Sequence, residues 1–338
     1  MNPCDAKAAL AAMIEARLPA LLVGAPGVGK SDIVGQAAHA AGAEMILSHP
    51  AVSDPTDAKG LPWPDKDSET ATFLPFGELA RALRASRPTV WFLDDLGQAT
   101  PAVQASFMQL VLARRIDGHA LPDCVSFVAA TNRRGDRAGV AGILEPVKSR
   151  FATILEIEPD LDSWCAWAYG AGVPGELIAF LRFRPELLHK FEPTLEIVNS
   201  PCPRTWANVG KLLGAGLPEG LEYACVRGAV GEAAAVEFVS FLKVWRELPN
   251  PDAVLLDPGA ARIPAEPSAL YAICVALAKR ASPTNFGRIA KYATRMNDAA
   301  HGEFAALLLR DAVRQCPDIQ STADFGFMAA GPLSKLYA

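Results

Sequence analysis

An eight-residue stretch rich in glycine, GAPGVGKS, restricts the fold of this chain more than any other part of its sequence. It spans Gly24 to Ser31 and directly follows the apolar run Ala20 to Val23, while the residues after it, Asp32 to Ala41, are predicted to form a helix. A strand, a tight glycine turn and a helix in that order let consecutive backbone N–H groups point at one anion. The helix dipole attracts the same anion. The stretch therefore predicts a phosphate-binding loop.

The spacing within this loop, Gly-x-x-x-x-Gly-Lys-Ser, is that of a Walker A motif. Lys30 brings a fixed positive charge to the β and γ phosphates of a nucleoside triphosphate, and the Ser31 hydroxyl can complete the coordination of Mg²⁺. A chance glycine-rich turn would require neither the flanking elements nor the Lys-Ser pair. We therefore predict that a nucleoside triphosphate with Mg²⁺ binds to the loop residues Gly24, Ala25, Pro26, Gly27, Val28, Gly29, Lys30 and Ser31.

A second motif carries two carboxylates. The apolar residues Thr89 to Leu93, TVWFL, predict a buried strand, and Asp94 and Asp95 come directly after it. Ligands bind at the carboxyl ends of strands in open α/β sheets, so both side chains should lie near the phosphate loop. This is the pattern of a Walker B motif. It predicts that Asp94 holds Mg²⁺, mainly through the water shell of the ion, and that Asp95 orients or deprotonates an attacking water.

Two further polar residues flank later strands. After a predicted helix, Pro101 to Arg114, and a hairpin turn at Asp117-Gly118, the buried strand Val125 to Ala130 leads to Asn132. The Asn132 amide can contact the γ-phosphate if its strand lies beside the Walker B strand, whereas an isolated Asn at such a place is more often a turn residue. Arg150 is the next-to-last residue of the sequence ILEPVKSRF, which leads into the next predicted strand.

The segment from Pro50 to Pro75 is rich in proline and aspartate. Its turn-forming residues exclude a continuous helix. A loop of this length inside a compact domain is usually a lid or a binding loop, although a passive surface excursion is an equally good interpretation.

After Pro159 the sequence predicts helices without alternating strands. Arg204 falls in the first turn of one of them, where the helix dipole disfavours a cation, and this suggests an anionic partner. The alternative is a solvated surface arginine. Five prolines between residues 248 and 267 predict an extended connector. The helices beyond it show no nucleophile, metal cluster or aromatic-basic pattern, which favours an interaction module.

The order of these motifs resembles that of AAA+ ATPases, and of the MoxR group in particular, over residues 5–215. The resemblance implies an α/β P-loop fold, a parallel sheet with helices on both faces, followed by an all-helical lid and a further helical region. It places the α/β domain at 1–158, the lid at 159–223 and a C-terminal interaction region at 224–338, with the connector at 248–267. It also implies ATP as the nucleotide, a homo-oligomeric ring, which we expect to be a hexamer, and a protein substrate. MoxR members often work with von Willebrand factor A partner proteins.

The same resemblance assigns roles to the residues of the Walker motifs. Lys30 and Ser31 match the phosphate and Mg²⁺ contacts, and Asp94 matches the Walker B metal ligand. Asp95 stands where the family usually has Glu. Its shorter side chain puts the geometry of water activation, and hence the rate, in question.

Three further positions match motifs of the family. Asn132 corresponds to sensor 1, Arg150 to the arginine finger that completes the site of a neighbouring subunit, and Arg204 to the sensor 2 arginine of the lid. The hairpin at residues 114–124 matches the insert before sensor 1. The segment at 50–75 corresponds to the region where this group carries its helix-2 insertion.

Composition excludes several classes of protein. Of 338 residues, 51% are hydrophobic and 20% charged, which is typical of a folded protein large enough for two domains. The net charge of −5 argues against a general nucleic-acid coating protein. Seven cysteines without a CxxC pair predict reduced thiols. The N-terminus lacks a signal-peptide pattern and no apolar run of ~18 residues is present, so we expect a cytoplasmic protein without a membrane span.

The leading hypothesis is therefore an ATP-driven remodeller of a partner protein. A DNA-linked motor is the first alternative, although the acidic charge and the absence of a DNA-binding motif count against it. A nucleotide-gated switch with little turnover is the second, and the aspartate at position 95 keeps it open. A small-molecule kinase would leave the sensor and finger arginines without a role.

Overall fold

The computed structural model describes residues 1–65, 70–136, 142–192, 194 and 196–331. The chain divides into two compact units, Met1–Asp160 and Leu161–Ala338. The strands, all in the first unit, are β1 (Ala20–Gly24), β2 (Glu44–Ser48), β3 (Leu61–Pro64), β4 (Ala71–Leu74), β5 (Thr89–Leu93), β6 (Arg115–Ile116), β7 (His119–Ala120), β8 (Val125–Thr131) and β9 (Thr153–Ile157). The helices of this unit are α1 (Pro3–Glu15), α2 (Lys30–Ala40), α3 (Pro55–Lys59), α4 (Gly77–Leu83), α5 (Pro101–Ala113) and α6 (Glu145–Lys148).

The first unit is built on a parallel sheet of five strands in the order β2-β5-β8-β1-β9. Its central strands are apolar on both faces, because helices cover both. Leu21, Trp91 and Phe127 pack on one face against α3 to α6. Leu22 and Phe92 pack on the other face against α1 and α2. The predicted fold class, a P-loop α/β sheet covered by helices and followed by a helical region, is confirmed.

Capping residues explain where the helices of this unit begin. Helix α1 begins at Pro3, because the Asn2 side chain accepts a hydrogen bond from the Asp5 backbone N–H (2.8 Å). Proline is tolerated at the first helical position, where its missing N–H has no partner in any case. Likewise α5 begins at Pro101 after the Thr100 cap.

The segment at 50–75 contains more regular structure than its composition predicts. The short helix α3 begins after Asp54, whose carboxylate caps it, and Pro55 occupies its first position. Strands β3 and β4 then pair in antiparallel fashion, and all of their described residues except the half-buried Phe73 are exposed. Composition predicts an irregular segment because proline usually breaks a helix, whereas Pro55 occupies the first helical position and begins α3.

The second unit is helical throughout its described residues. Its helices are α7 (Leu161–Gly170), α8 (Gly175–Phe183), α9 (Pro203–Gly214), α10 (Glu219–Val230), α11 (Glu232–Arg246), α12 (Pro251–Leu256), α13 (Pro267–Ala278), α14 (Phe286–Asp298), α15 (Gly302–Gln315) and α16 (Ala323–Ala330). In the described part of the chain, no helix combines the length and the apolar composition that crossing a membrane requires.

Two hydrophobic cores lie within this unit. One is formed by α7 to α11 around Phe180, Trp206 and Phe238, and the other by α12 to α16 around Phe286 and Tyr292. Helix α13 contributes to both. Residue 223, the expected end of the lid, lies inside α10, and the division of the unit into a lid and an interaction region stays a prediction.

The proline-rich connector at 248–267 is not extended throughout, because α12 interrupts it. The Asn250 side chain accepts a hydrogen bond from the Asp252 N–H (2.9 Å) and caps this helix, and Pro251 occupies its first position. As in α3, the proline begins a helix where composition alone predicts extended chain.

Candidate nucleotide-binding site

The phosphate loop joins β1 to α2 at the carboxyl edge of the sheet. Gly27 and Gly29 have φ values of +76° and +95°, in the left-handed region that residues other than glycine rarely adopt. Gly29 precedes the first residue of α2, which is Lys30. The helix therefore begins two residues earlier than predicted, and its N-terminus faces the loop.

The Lys30 ammonium is the centre of the site. It is buried, with only 7% of the residue exposed. It donates to the carbonyl oxygens of Gly24 (2.9 Å) and Ala25 (3.1 Å) and to the Asn132 amide oxygen (2.7 Å). A buried charge requires such partners to offset its lost hydration. The Walker A lysine and the predicted sensor, 102 residues apart in sequence, thus meet at one point.

The predicted Mg²⁺ ligands also meet. The Ser31 hydroxyl donates to Asp94 Oδ2 at 2.6 Å. The Asp94 backbone N–H donates to the Ser48 carbonyl (2.9 Å), and the Ser48 hydroxyl accepts from the indole N–H of Trp91 (2.8 Å). These bonds hold the ends of β2 and β5 together and fix the position of the carboxylate. A hydroxyl and a carboxylate are oxygen ligands of the kind that Mg²⁺ prefers.

Asp95 is held in a strained conformation next to Asn132. Its φ of +57° places it in the left-handed region, which costs an L-residue about 1–2 kcal/mol and which aspartate tolerates better than most. The Asn132 amide nitrogen donates to Asp95 Oδ1 at 3.5 Å, while its oxygen accepts from Lys30. One amide therefore connects the Walker A cation to the second Walker B carboxylate.

Arg150 lies at the opposite edge of the sheet. The residue two positions later, Ala152, donates its backbone N–H to the Pro19 carbonyl (2.7 Å), just before the parallel strands β9 and β1 begin. The phosphate loop follows the other end of β1. Strands of five residues span about 16 Å. The structure thus does not bring Arg150 to the site of its own chain, and a role at another subunit stays a prediction.

Arg204 is the second residue of α9, as the sequence predicts for the first turn of a helix. Its side chain is exposed and makes no hydrogen bond or ion pair with the described residues. It belongs to the second unit. Its predicted contact with the γ-phosphate stays a prediction.

Sequence reasoning missed one positioning residue, Gln104. Only 1% of it is exposed, and its amide nitrogen donates to the carbonyls of Ala99 (3.1 Å) and Gly142 (2.9 Å). Its amide oxygen accepts from the Leu144 N–H (3.0 Å). Gln104 therefore holds residues 142–144 against α5. These residues lead through α6 to Arg150. In the sequence, this role is indicated by one glutamine among the apolar residues of the predicted helix Pro101 to Arg114.

Residues 19–151, which contain β1 to β8 and the network just described, match the protein family AAA domain (dynein-related subfamily). This part of the chain is therefore similar to AAA+ domains. AAA+ domains bind and hydrolyse nucleotides in general, which agrees with the ligand predicted from the Walker motifs. No sequence match was found among curated proteins.

Solved structures with similarity to the chain include proteins from two organisms. The RuvB Holliday junction branch migration motor of Thermotoga maritima is 15% identical, over 76% of this chain and 82% of that chain, with a TM-score of 0.39. NtrX from Brucella abortus in complex with ADP is 12% identical, over 99% of this chain and 68% of that chain, with a TM-score of 0.41. At these TM-scores the similarities carry no argument about the activity of this chain.

Proposed function

We propose that the chain is a MoxR-like ATPase that assembles into a ring and uses ATP hydrolysis to remodel or activate a partner protein. The observation that carries the proposal is the hydrogen-bonded network at the carboxyl edge of the sheet, in which Asn132 joins Lys30 to Asp95 while Ser31 binds Asp94. Each of these residues has a distinct part in hydrolysing a phosphoanhydride.

Lys30 and the loop N–H groups bind the phosphates. The ammonium already lies among three oxygen acceptors, so a phosphate oxygen that enters this position exchanges one charge-assisted hydrogen bond for another. The described residues contain no group of three or more His, Cys, Asp or Glu side chains that could hold a metal by itself. That fits Mg²⁺, which usually keeps waters and phosphate oxygens as ligands alongside one or two protein oxygens, here Ser31 and Asp94. Mg²⁺ would neutralise charge on the β and γ phosphates.

Asp95 acts on the attacking water. Its carboxylate accepts a proton from the water or orients the water for attack. The Asn132 amide holds the carboxylate and contacts the γ-phosphate. Because the side chain is one methylene shorter than the usual Glu, Asp95 reaches less far from its backbone. The left-handed conformation of Asp95 changes the direction of its side chain and is part of how the shorter acid is aimed.

The separation of Arg150 from the rest of the site supports the proposed ring. When the amino edge of one copy meets the carboxyl edge of the next, the interface is heterologous and repeats around a ring. Arg150 then completes the neighbour's site. On the basis of the family resemblance, we propose that the ring has six subunits, that its substrate is a protein, and that it works with a von Willebrand factor A partner. In this proposal residues 159–223 are the lid, from which Arg204 reaches the γ-phosphate, and 224–338 contact partners.

The water-activating role predicts opposite results for two substitutions of Asp95. Asp95→Asn keeps the size and removes the proton acceptor, so kcat for phosphate release from Mg-ATP should fall by roughly 10²–10⁴ while nucleotide affinity is kept. Asp95→Glu keeps the acceptor and lengthens it, so turnover should be retained or increased. The exposed Asp123→Asn, in the same unit, controls for the change of charge.

An Asp95→Asn rate equal to wild type would show that another group activates the water. If the wild-type chain binds ATP but releases no phosphate at any concentration, the hydrolase proposal is wrong and the nucleotide-gated switch takes its place.

A further inference from the structure

We infer that Arg17 is a second cation that one copy of this chain directs at the nucleotide phosphates of a neighbouring copy; this inference rests on the proposed function. Arg17, Arg114 and Arg150 line one pocket of about 330 Å³ at the amino edge of the sheet. The described residues that line it include no aspartate or glutamate. The pocket therefore carries an excess of positive charge.

Arg114 is already committed to the fold. Its two terminal nitrogens donate to the backbone carbonyls of Val125 and Pro122, both at 2.7 Å. These bonds fix the start of β8 to the end of α5. Arg114 therefore has a structural role.

Arg17 and Arg150 are not committed in this way. Arg150 donates from one terminal nitrogen to the Ser149 hydroxyl (3.1 Å), and its buried Nε has no hydrogen-bond partner in the described chain. The Arg17 side chain is exposed and makes no hydrogen bond or ion pair with the described residues. Two guanidinium groups in one pocket without a carboxylate fit an anion that comes from outside the chain, and guanidinium binds phosphate oxygens in pairs.

The backbone at Arg17 favours a different residue. Helix α1 ends in a Schellman motif, in which the Leu18 N–H donates to the Met13 carbonyl (2.9 Å) and the Arg17 N–H to the Ile14 carbonyl (3.1 Å). The residue at this place is left-handed, with φ of +59° here, and glycine is the residue that adopts it without strain. Helix α2 has Gly42 in the same role, with φ of +62°. Arginine is thus unfavourable for the backbone at this position. We take the strain as a sign that the arginine side chain has a function there.

The anion belongs to another copy because of where Arg17 lies. It lies three residues before the start of β1, whereas the phosphate loop follows the far end of that strand, about 16 Å further on. An arginine side chain does not span the sheet from edge to edge. At the heterologous interface proposed above, the amino edge faces the neighbour's carboxyl edge, so Arg17 and Arg150 approach the same triphosphate from the same side.

The Schellman motif gives a test that separates the guanidinium from the fold. Arg17→Gly removes the cation and relieves the backbone, so Tm should be unchanged or higher while kcat for ATP at saturating protein concentration falls at least tenfold. Ala300→Gly is the matched control. Ala300 occupies the same left-handed place after α14, with φ of +65°, and its substitution should raise or leave Tm and leave kcat unchanged.

Mixing two inactive variants shows in which subunit Arg17 acts. Arg17→Gly keeps the nucleotide site, and Lys30→Met keeps Arg17. If Arg17 acts on the neighbour, an equimolar mixture recovers about a quarter of the wild-type rate, because about one interface in four then combines an intact site with an intact Arg17.

Full activity of Arg17→Gly would overturn the inference while leaving the proposed function intact, provided that Arg150→Ala is inactive. An inactive Arg17→Gly that is not rescued by Lys30→Met, or that no longer assembles in size-exclusion chromatography, would also overturn it. If both Arg17→Gly and Arg150→Ala keep the wild-type rate, it is the shared site of the proposed function that fails.

Discussion

Lys30→Met should weaken binding of a non-hydrolysable ATP analogue by a factor of roughly 30 to 150 and stop turnover. The substitution keeps the length of the side chain but removes an ammonium that lies among the carbonyls of Gly24 and Ala25 and the Asn132 amide oxygen. Losing one charge-assisted hydrogen bond to phosphate costs about 2–3 kcal/mol, which corresponds to that change in Kd.

Thermal unfolding with and without the analogue measures this effect in the intact chain. At a concentration one hundred times the wild-type Kd, the ligand should raise the free energy of unfolding of the wild type by about 2.7 kcal/mol and that of Lys30→Met by less than about 1 kcal/mol. Lys243→Ala, which removes an exposed lysine of the second unit, should respond like the wild type. Equal stabilisation of Lys30→Met and wild type would show that the phosphates bind elsewhere.

Asp311→Leu should destabilise the second unit by about 3–5 kcal/mol, because the buried Arg182 loses its buried partner and is left with the exposed Asp162, at 3.4 Å. Asp311, on α15, accepts from Arg182 Nη2 on α8 at 2.7 Å and from the Tyr169 hydroxyl on α7 at 2.8 Å. The side chains of the pair are 6% and 2% exposed. Burial raises the pKa of the nearby Cys165 thiol to about 12 and also raises the pKa of Tyr169, so both stay neutral. Burial raises the pKa of Asp311 as well, and the opposing charge of Arg182 favours its carboxylate form.

The triple variant Tyr169→Phe, Arg182→Met and Asp311→Leu should recover most of this stability, since it replaces the polar cluster with apolar groups of similar size. Hydrogen exchange of the α8 and α15 amides in the full chain measures the change locally. Asp252→Leu is the control: Asp252 pairs with Arg280 at the surface (2.8 Å), and its loss should cost about 0–1 kcal/mol. Unchanged exchange in Asp311→Leu would show that the pair does not hold the helices together.

This pair also matters for the proposed mechanism. Arg182 and Tyr169 belong to helices of the core that contains Trp206, whereas Asp311 lies on a helix of the other core. The buried ion pair therefore connects the two cores. We propose that it passes motion of the predicted lid to the C-terminal helices.

Much of the first unit could be predicted from sequence because its signals are local. The apolar run of β5 has the predicted bounds, and Asp117 and Gly118, with φ values of +46° and +86°, form the turn of the predicted hairpin between β6 and β7. Each signal lies within about ten residues of the structure that it specifies.

The misses have two physical causes. Prolines were taken as helix breakers, yet Pro55 and Pro251 each follow a capping side chain and begin a helix. Long-range polar contacts, such as Arg182 with Asp311 across 129 residues, leave no periodic trace in the sequence. Gln104 and the pocket shared by Arg17 and Arg150 belong to this second class.

The central claim is that the active site is shared between copies, and the ATPase rate per subunit as a function of protein concentration tests it most directly. The account predicts that the wild-type rate climbs with concentration to a plateau. It also predicts that Arg150→Ala stays lower by about 10³ or more at every concentration, because the finger acts in trans. Arg87→Ala, at an exposed arginine paired with Glu44, should follow the wild type. A rate that is independent of concentration and of Arg150 would mean that each chain hydrolyses ATP alone, which contradicts the ring mechanism.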